Sequence, residues 1–186
     1  METEEETSVR HLNLAPLIDH LRSRHLNLEL HNPILDEVER VVTFYLWNLS
    51  GELVGYQQYR PEGEKRPNND PRSGKYFTYR KRPTHTVWGV ESLHLTPNLL
   101  FVTEGLFDAA RLTERGYSAI AVLSNDPPYD LRNWLRCLNR RVIAVCDNDK
   151  AGKKLAKFGH TAVYTNEKDL GDSTDEEITE LLRSIL

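Results

Sequence analysis

The sequence predicts an α/β protein in which a parallel four-stranded sheet flanked by helices follows a small α+β N-terminal subdomain. Two short apolar runs, residues 99–103 and 141–146, each end abruptly at acidic residues, as strands buried on both faces do. From Pro97 onward, strand-like and helix-like segments alternate, which favours a parallel sheet with right-handed crossovers. We therefore predict two parts, a subdomain over residues 1–96 and a parallel-sheet domain over residues 97–186.

The N-terminal part contains one amphipathic segment and several extended ones. Leucine and isoleucine recur at helical spacing near residues 12–26, which predicts a helix. Residues 41–49 and 53–59 are rich in β-branched and aromatic residues and are joined by a Ser-Gly turn, so they predict paired strands. A proline-rich loop over residues 61–74 leads to a further extended segment at residues 76–79, which completes a small antiparallel β-unit.

The C-terminal part consists of four strand–helix units. Short apolar runs predict strands at residues 99–103, 119–123, 141–146 and 161–165. The segments between and after them predict helices near residues 106–115, 129–138, 150–158 and 174–185. Ser173 or Thr174 is a plausible N-cap for the last helix because acidic residues fill its first turn.

Composition places the chain among ordinary globular proteins. The 186 residues are 39% hydrophobic and 28% charged, and no apolar stretch approaches the ~20 residues that cross a bilayer. The acidic N-terminus is unlike a signal peptide, so we expect a cytoplasmic protein. Two cysteines, Cys137 and Cys146, are too few for a zinc ribbon. Trp47, Trp88 and Trp134 are predicted to be core residues.

Charge is unevenly distributed along the chain. The formal net charge is −4, yet residues 60–82 hold eight Lys or Arg against three acids and also contain Tyr76, Phe77 and Tyr79. Basic side chains interleaved with aromatic rings suit single-stranded nucleic acid, through phosphate contacts and base stacking. The alternative is an ordinary solvated loop and strand.

The first acidic motif is Glu104-Gly105 with Asp108, directly after the 99–103 strand. The glycine permits a tight turn from strand into helix, and Asp108 lies one helical turn further on. The alternative is that Glu104 only begins the helix and interacts favourably with its dipole.

The second acidic motif is Asp147-Asn148-Asp149, followed by Lys150-Ala-Gly. One aspartate would serve as a helix N-cap, and the second is surplus to that role. A third group, Asp169 and Asp172, follows the fourth strand and by itself would be a solvated turn.

All three acidic groups follow strands of the predicted parallel sheet, where ligands of such sheets bind. Converging carboxylates repel one another unless a cation lies between them, and oxygen ligands suit Mg²⁺ or Mn²⁺. The sequence thus predicts metal-dependent phosphate chemistry.

Glu-Gly-x-x-Asp, then Asp-x-Asp-x-Ala-Gly, then Lys-Asp-x-x-Asp resembles the Toprim domain, which has a Rossmann-type parallel sheet. Within that superfamily the chain is similar to the catalytic, RNA-polymerizing core of DnaG-type and phage DNA primases. Upstream, the Ser50–Tyr56 segment, Arg60, Lys75-Tyr76 and Trp88-Gly89 resemble the motif series that precedes the Toprim unit in bacterial primases. The resemblance covers roughly residues 41–175.

The resemblance implies a primase-like nucleotidyltransferase that synthesises short RNA primers on single-stranded DNA. It implies that Glu104, Asp147 and Asp149 are catalytic. It implies Mg²⁺ or Mn²⁺ ligands among Glu104, Asp108, Asp147, Asp149, Asp169 and Asp172. Arg60 and Lys75 would face nucleoside triphosphates or the template. Charge alone adds further candidate nucleotide or nucleic-acid contacts, namely Arg80, Lys81, Arg82, Lys150 and Lys168.

Bacterial primases usually carry an N-terminal zinc ribbon, and many have a helicase-binding or fused helicase domain; the given sequence shows neither. We therefore expect either that a replicative helicase or a separate zinc-ribbon protein supplies these functions as a partner, or that the chain is a trimmed or stand-alone, phage-like version. Two other functions remain open. A Toprim nuclease would use the same carboxylates to activate water but has no need of the upstream β-unit. The other is a non-catalytic replisome accessory protein that binds nucleic acid. The full set of carboxylates counts against it, because mutually repelling carboxylates bring no benefit to a site without catalysis.

Overall fold

The computed structural model describes residues 14–65, 70–81, 86–124, 127–165 and 169–185. Two four-stranded sheets form its framework. The strands are β1 Ile34–Asp36, β2 Val41–Trp47, β3 Leu53–Tyr59, β4 Tyr76–Arg80, β5 Leu99–Thr103, β6 Ala119–Ala121, β7 Arg141–Cys146 and β8 Thr161–Tyr164. The α-helices are α1 Ala15–Ser23, α2 Leu28–His31, α3 Leu106–Glu114, α4 Tyr129–Cys137, α5 Lys150–Leu155 and α6 Asp175–Arg183.

The N-terminal sheet is antiparallel throughout, with strand order β1-β2-β3-β4, which confirms the predicted β-unit. Side chains alternate between its two faces. Val42, Phe44 and Leu46 of β2 are buried on the inner face, and Tyr59 of β3 joins them. The intervening residues of β2 are half-buried on the outer face.

The C-terminal sheet is parallel, as predicted, with strand order β6-β5-β7-β8. Val102 of β5 lies opposite Ala144 of β7. Both strands therefore run in the same direction as neighbours, and the residues that follow them emerge at one edge. That edge is where Glu104 and Asp147 are found.

Backbone hydrogen bonds join the two sheets through residues 86–88. Trp47 exchanges two hydrogen bonds with Val87, both at 2.9 Å, and Trp88 exchanges two with Ala121, both at 3.0 Å. The antiparallel sheet is thereby held beside the end of β6, close to the carboxyl ends of the parallel strands.

Two apolar cores lie on either side of the parallel sheet. The larger contains Leu17 and Leu21 of α1, Phe44 of β2, Phe107 of α3 and Ile178 of α6, so both parts of the chain contribute to it. The smaller lies under α4 and α5 and contains residues of β5, β6 and β7. In the described part of the chain, no helix is long and apolar enough to cross a membrane.

The structure differs from the expected elements in a few places. Helix α2 and strand β1 lie on either side of Pro33, between the helix and the first strand predicted from the sequence. The predicted helix over residues 150–158 is α5 followed by a 3₁₀ turn. Thr174 is the N-cap of α6, and its capping box with Glu177 is complete. Trp88 is a core residue as predicted, but Trp47 is half-buried on the outer face and belongs to neither core.

Gly152 is predicted to be essential for the packing of α5 against β7. A Cβ atom on Gly152 would overlap the main-chain oxygen of Asp147. Although alanine ordinarily favours a helix, we expect Gly152→Ala to lower the free energy of unfolding by about 1–3 kcal/mol, because backbone must move to admit the methyl group. Urea denaturation measures the change. Lys153→Ala, at an exposed position of the same helix, is the control and should change it by less than about 0.5 kcal/mol. Equal stability of Gly152→Ala and the wild type would contradict this packing.

Candidate active site

An acidic cleft of about 290 Å³ lies between the two sheets. Its acidic side chains are Glu104, Asp108, Asp147 and Asp169, which come from three separate segments of the parallel-sheet domain. The antiparallel sheet contributes the inner-face residues Gln57 and Tyr76, and the end of α1 contributes Arg24. The remaining lining residues are Gly105, Leu106, Phe107, Leu123 and Ser124. Four of the six carboxylates predicted as metal ligands therefore share one cleft, and Asp149 and Asp172 are not among its lining residues.

Glu104 is positioned by the turn from β5 into α3. Its main-chain oxygen accepts a hydrogen bond from Leu123 N at 3.0 Å, which ties this turn to the chain that leaves β6. Gly105 follows as the N-cap of α3. Burial raises the pKa of Glu104, and the nearby charges of Asp147 and Asp149 raise it further.

Asp147 and Asp149 have different environments, although only one residue separates them. Asp149 is the N-cap of α5, and its Oδ1 accepts a hydrogen bond from Gly152 N at 2.8 Å. Asp147 makes no side-chain hydrogen bond within the described residues and faces the cleft. Burial raises its pKa, followed by the charges of Asp169 and Asp149. The capping interpretation is thus correct for Asp149, and Asp147 is the surplus carboxylate.

Asp108 fixes two segments of the site to one another. Its Oδ2 accepts a hydrogen bond from Gly105 N at 3.1 Å, and its Oδ1 accepts one from Gly171 N at 2.8 Å. A Cβ atom on Gly105 would lie only 2.5 Å from Asp108 Oδ2, so this contact requires the glycine. Burial raises the pKa of Asp108 to about 7, although the hydrogen bond from Gly171 opposes that shift. The geometry gives Asp108 a positioning role.

The third acidic segment consists of Asp169 and Asp172. Asp169 caps a short 3₁₀ turn through a hydrogen bond from Asp172 N, at 2.9 Å, and lies beside the cleft. Asp172 instead pairs with Arg24, whose Nη1 lies 2.7 Å from Asp172 Oδ1. The Arg24 guanidinium also lies over the Phe107 ring, 4.6 Å from its centroid. Arg24 is therefore a cation in an otherwise acidic cleft.

The six carboxylates predicted as metal ligands do not form one ligand cluster. Within the residues that the structure describes, no three His, Cys, Asp or Glu side chains are grouped closely enough to hold a metal ion by themselves. Asp108, Asp149 and Asp172 are engaged by backbone or by Arg24, as described above. Glu104 and Asp147 are the carboxylates that combine exposure to the cleft with a raised pKa and with no side-chain hydrogen bond among these residues.

None of the basic residues predicted to bind nucleotides is among the described residues that line the cleft. Arg80 donates a hydrogen bond to the main-chain oxygen of Leu123 at 2.8 Å, next to the cleft, and burial lowers its pKa. The Lys75 ammonium lies 6.0 Å from the centroid of the Tyr59 ring. Arg60 donates to Gln58 Oε1 at 3.4 Å. Lys81 and Lys150 are exposed. Arg82 and Lys168 lie outside the described residues.

Three residues of the cleft were missed by sequence reasoning. Arg24 precedes Asp172 by 148 residues, and nothing in its local sequence marks it. Gln57 resembles any polar residue of a half-buried strand. Tyr76 was noted as part of an aromatic segment and of the Lys75-Tyr76 motif but not as a site residue, although the alternation of β4 places it on the inner face with Gln57. Strand alternation, read together with the sheet register, would have identified both.

Comparison with solved structures shows a consistent set of neighbours. A structure of the Aquifex aeolicus primase, comprising its zinc-binding and RNA polymerase domains, has a TM-score of 0.58 at 20% identity over 84% of this chain. The catalytic domain of DnaG primase bound to single-stranded DNA has a TM-score of 0.56 at 16% identity over 91% of this chain. The primase fragment of the bacteriophage T7 primase-helicase protein has a TM-score of 0.52 at 14% identity over 76% of this chain.

The sequence itself matches no protein-family model and no curated protein. The chain spans 45% of the Aquifex structure, 63% of the DnaG structure and 62% of the T7 structure. At these identities the likeness concerns the fold. The protein has the fold of the catalytic core of DnaG-type primases.

Proposed function

We propose that the protein is a primase-like nucleotidyltransferase that synthesises short RNA primers on single-stranded DNA, with Mg²⁺ or Mn²⁺ as cofactor. The observation that carries this proposal is the pair Glu104 and Asp147, which follow adjacent parallel strands and face one cleft in a primase-core fold. In the proposed reaction, a 3′-hydroxyl attacks the α-phosphorus of a nucleoside triphosphate. The new phosphodiester bond forms as pyrophosphate leaves, and the hydroxyl loses its proton.

The donor set in the cleft fits a hard divalent cation. Every acidic group that lines it is a carboxylate, and oxygen ligands suit Mg²⁺ and Mn²⁺. Mg²⁺ is usually held by one or two carboxylates together with water and substrate phosphates, so a complete protein cage is not required. Glu104 and Asp147 would hold the ion, with Asp169 as the next carboxylate. When bound, the ion supplies charge neutralisation to the phosphoryl group.

The other residues of the site would orient substrates. Asp108 holds the turn that carries Glu104 against the Gly171 segment through its two backbone hydrogen bonds. Arg24, Lys75 and Arg80 place positive charge around the acidic cleft, which a polyanionic substrate needs in order to approach it. Gln57 and Tyr76 form the opposite wall and offer a polar group and a ring to a base or ribose.

Single-stranded DNA as the template is supported by the similarity to a DnaG catalytic domain bound to single-stranded DNA. The Aquifex primase also bears on partners, because its structure comprises a zinc-binding domain together with the RNA polymerase domain. We propose that template recognition by this chain depends on a replicative helicase or a zinc-ribbon protein acting with it.

Removal of the Asp147 charge is expected to abolish primer synthesis while sparing the fold. Asp147→Asn keeps the size of the side chain and removes its carboxylate, whose ionised form is disfavoured by burial and by the charges of Asp169 and Asp149. Incubation with single-stranded DNA, ribonucleotides and Mg²⁺ or Mn²⁺ should give oligoribonucleotides from the wild type and at least about 100-fold less from Asp147→Asn, as for loss of a major electrostatic contributor.

The control is Asp19→Asn, at an exposed position of α1 away from the cleft, which should retain activity. Products that persist in both Asp147→Asn and Glu104→Gln would exclude this site. Degradation of the DNA without synthesis would instead favour the nuclease function, which uses the same carboxylates.

Glu104, Asp108 and Asp147 are expected to contribute stability to the metal-free protein that is lost as pH rises from about 4 to 8. The folded-state pKa of Asp108 is raised to about 7, and those of Glu104 and Asp147 are raised as well, so these three groups bind more protons in the native state than in the unfolded state in this window. Thermal unfolding in EDTA measures this slope. Mg²⁺ should restore stability at pH 8 because it neutralises the same carboxylates. In Asp147→Asn the slope should be shallower and the Mg²⁺ effect lost; an unchanged slope and response would contradict the assignment.

A further inference from the structure

Leu123 has an unusual backbone conformation at the edge of the cleft. Its φ is +52°, in the left-handed region that residues with a Cβ atom rarely adopt. The other described residues with a positive φ, apart from glycines, are His25, Asn32, Arg40 and Asn139, and none of them lines the cleft. Asparagine tolerates this conformation because its side chain can hydrogen-bond locally, whereas leucine has no such group. Contacts from other segments must therefore hold Leu123 in place.

Both main-chain polar groups of Leu123 are bound to other segments. Leu123 N donates a hydrogen bond to the main-chain oxygen of Glu104 at 3.0 Å, one step beyond the bond from Val122 N to the Thr103 oxygen, also at 3.0 Å. Leu123 O accepts a hydrogen bond from Arg80 Nη2 at 2.8 Å. Leu123 thus joins the turn that carries Glu104 to strand β4 of the antiparallel sheet.

Arg80 comes from the antiparallel wall of the cleft. Side chains alternate along β4, so Arg80 shares the inner face with Tyr76, which lines the cleft, and with Thr78, whose Oγ1 accepts a hydrogen bond from Gln57. Burial lowers the pKa of Arg80, and no described carboxylate counteracts this effect. Within the described residues, the bond to Leu123 O is therefore the polar contact that holds this guanidinium in place.

We propose that Arg80 is a positioning residue for Glu104. By binding the carbonyl oxygen of Leu123, Arg80 keeps Leu123 in its left-handed conformation. In that conformation the Leu123 amide binds the peptide of Glu104, and this bond fixes the direction in which the Glu104 carboxylate enters the cleft. The consequence for catalysis rests on the proposed function, whereas the consequence for metal affinity requires only that Glu104 binds a divalent ion.

The alternative role of Arg80 is direct contact with a substrate phosphate, and kinetics distinguish the two. Loss of a contact made equally by bound substrate and transition state raises KM, whereas misplacement of a reacting group lowers kcat. In primer synthesis, Arg80→Gln should lower kcat at least about tenfold and change KM for ribonucleotides less than about twofold. Arg80→Lys keeps the charge but is shorter and lacks the planar guanidinium, so it should lower kcat as well.

Substitution of Leu123 tests the backbone conformation directly. Glycine adopts a positive φ without strain, whereas alanine does not. Arg80→Gln combined with Leu123→Gly should therefore recover kcat to within about threefold of Leu123→Gly alone, because the backbone no longer needs Arg80. Arg80→Gln combined with Leu123→Ala should stay at least about tenfold below Leu123→Ala alone. Both substitutions remove the leucine side chain beyond Cβ, so the loss of packing is closely matched.

Arg140 provides the matched control for Arg80. It is also half-buried, and its Nη1 donates a hydrogen bond to the main-chain oxygen of Leu93 at 2.7 Å, but it is not among the residues that line the cleft. Arg140→Gln removes the same kind of contact and should leave kcat within about twofold of the wild type. Urea unfolding of each variant shows that the proteins compared are folded.

Metal affinity provides a measurement that does not depend on primer synthesis. Titration with Mn²⁺, followed by the electron paramagnetic resonance signal of the free ion, should show about tenfold weaker binding to Arg80→Gln than to the wild type, as for loss of a residue that orients a metal ligand. Combination with Leu123→Gly should restore the affinity, and combination with Leu123→Ala should not.

Three results would overturn the positioning role. They are a raised KM with unchanged kcat in Arg80→Gln, equal rescue by Leu123→Gly and Leu123→Ala, and an equal loss of kcat in Arg140→Gln. Any of these would leave the proposed function intact. If the wild type makes no primers, the proposed function fails and the Mn²⁺ affinities decide, since equal affinities of the wild type and Arg80→Gln would then overturn the positioning role.

Discussion

The parallel pairing of β5 with β7 is the constraint on which the rest of the structure depends. Because Val102 lies opposite Ala144, both strands deliver their following residues, Glu104 and Asp147, to one edge of the sheet. Burial raises the pKa of both carboxylates, and repulsion from neighbouring acids raises them further: from Asp147 and Asp149 for Glu104, and from Asp169 and Asp149 for Asp147. The apolar core on each side of the sheet stabilises this arrangement against that repulsion. The divalent cation proposed for the cleft would neutralise this acidic charge.

Much of this arrangement could be predicted from the sequence because it is encoded locally. The buried strands appear in the sequence as apolar runs. Because Glu104 and Asp147 directly follow these runs, the sequence predicts that they lie at the ends of the strands. Strands β3, β5 and β7 have the predicted bounds. The sequence allowed one aspartate to cap the helix and the other to act as a ligand, but it did not say which. The structure shows that Asp149 is the cap.

What the sequence could not predict are contacts between segments that are distant along the chain. Arg24 reaches the site only because α1 packs on the same core as α3 and α6. Asp108 was expected to be a metal ligand. Its hydrogen bond from Gly171 N could not be predicted, because Gly171 is distant from Asp108 along the chain. The row of Tyr45, Tyr56 and Tyr79 across three strands could not be predicted either, because cross-strand neighbours are set by strand pairing and not by sequence spacing. The prediction that Trp47 is a core residue was wrong because the sequence alone does not show which face of the sheet is covered.

The four backbone hydrogen bonds through Val87 and Trp88 have a mechanical consequence. They continue the antiparallel sheet into the edge of the parallel one, so the two walls of the cleft belong to a single hydrogen-bonded unit. A hinge between the walls would have to break ladder bonds, which is costly in a buried segment. A molecule that enters the cleft therefore meets two walls whose separation is held nearly constant by backbone hydrogen bonds.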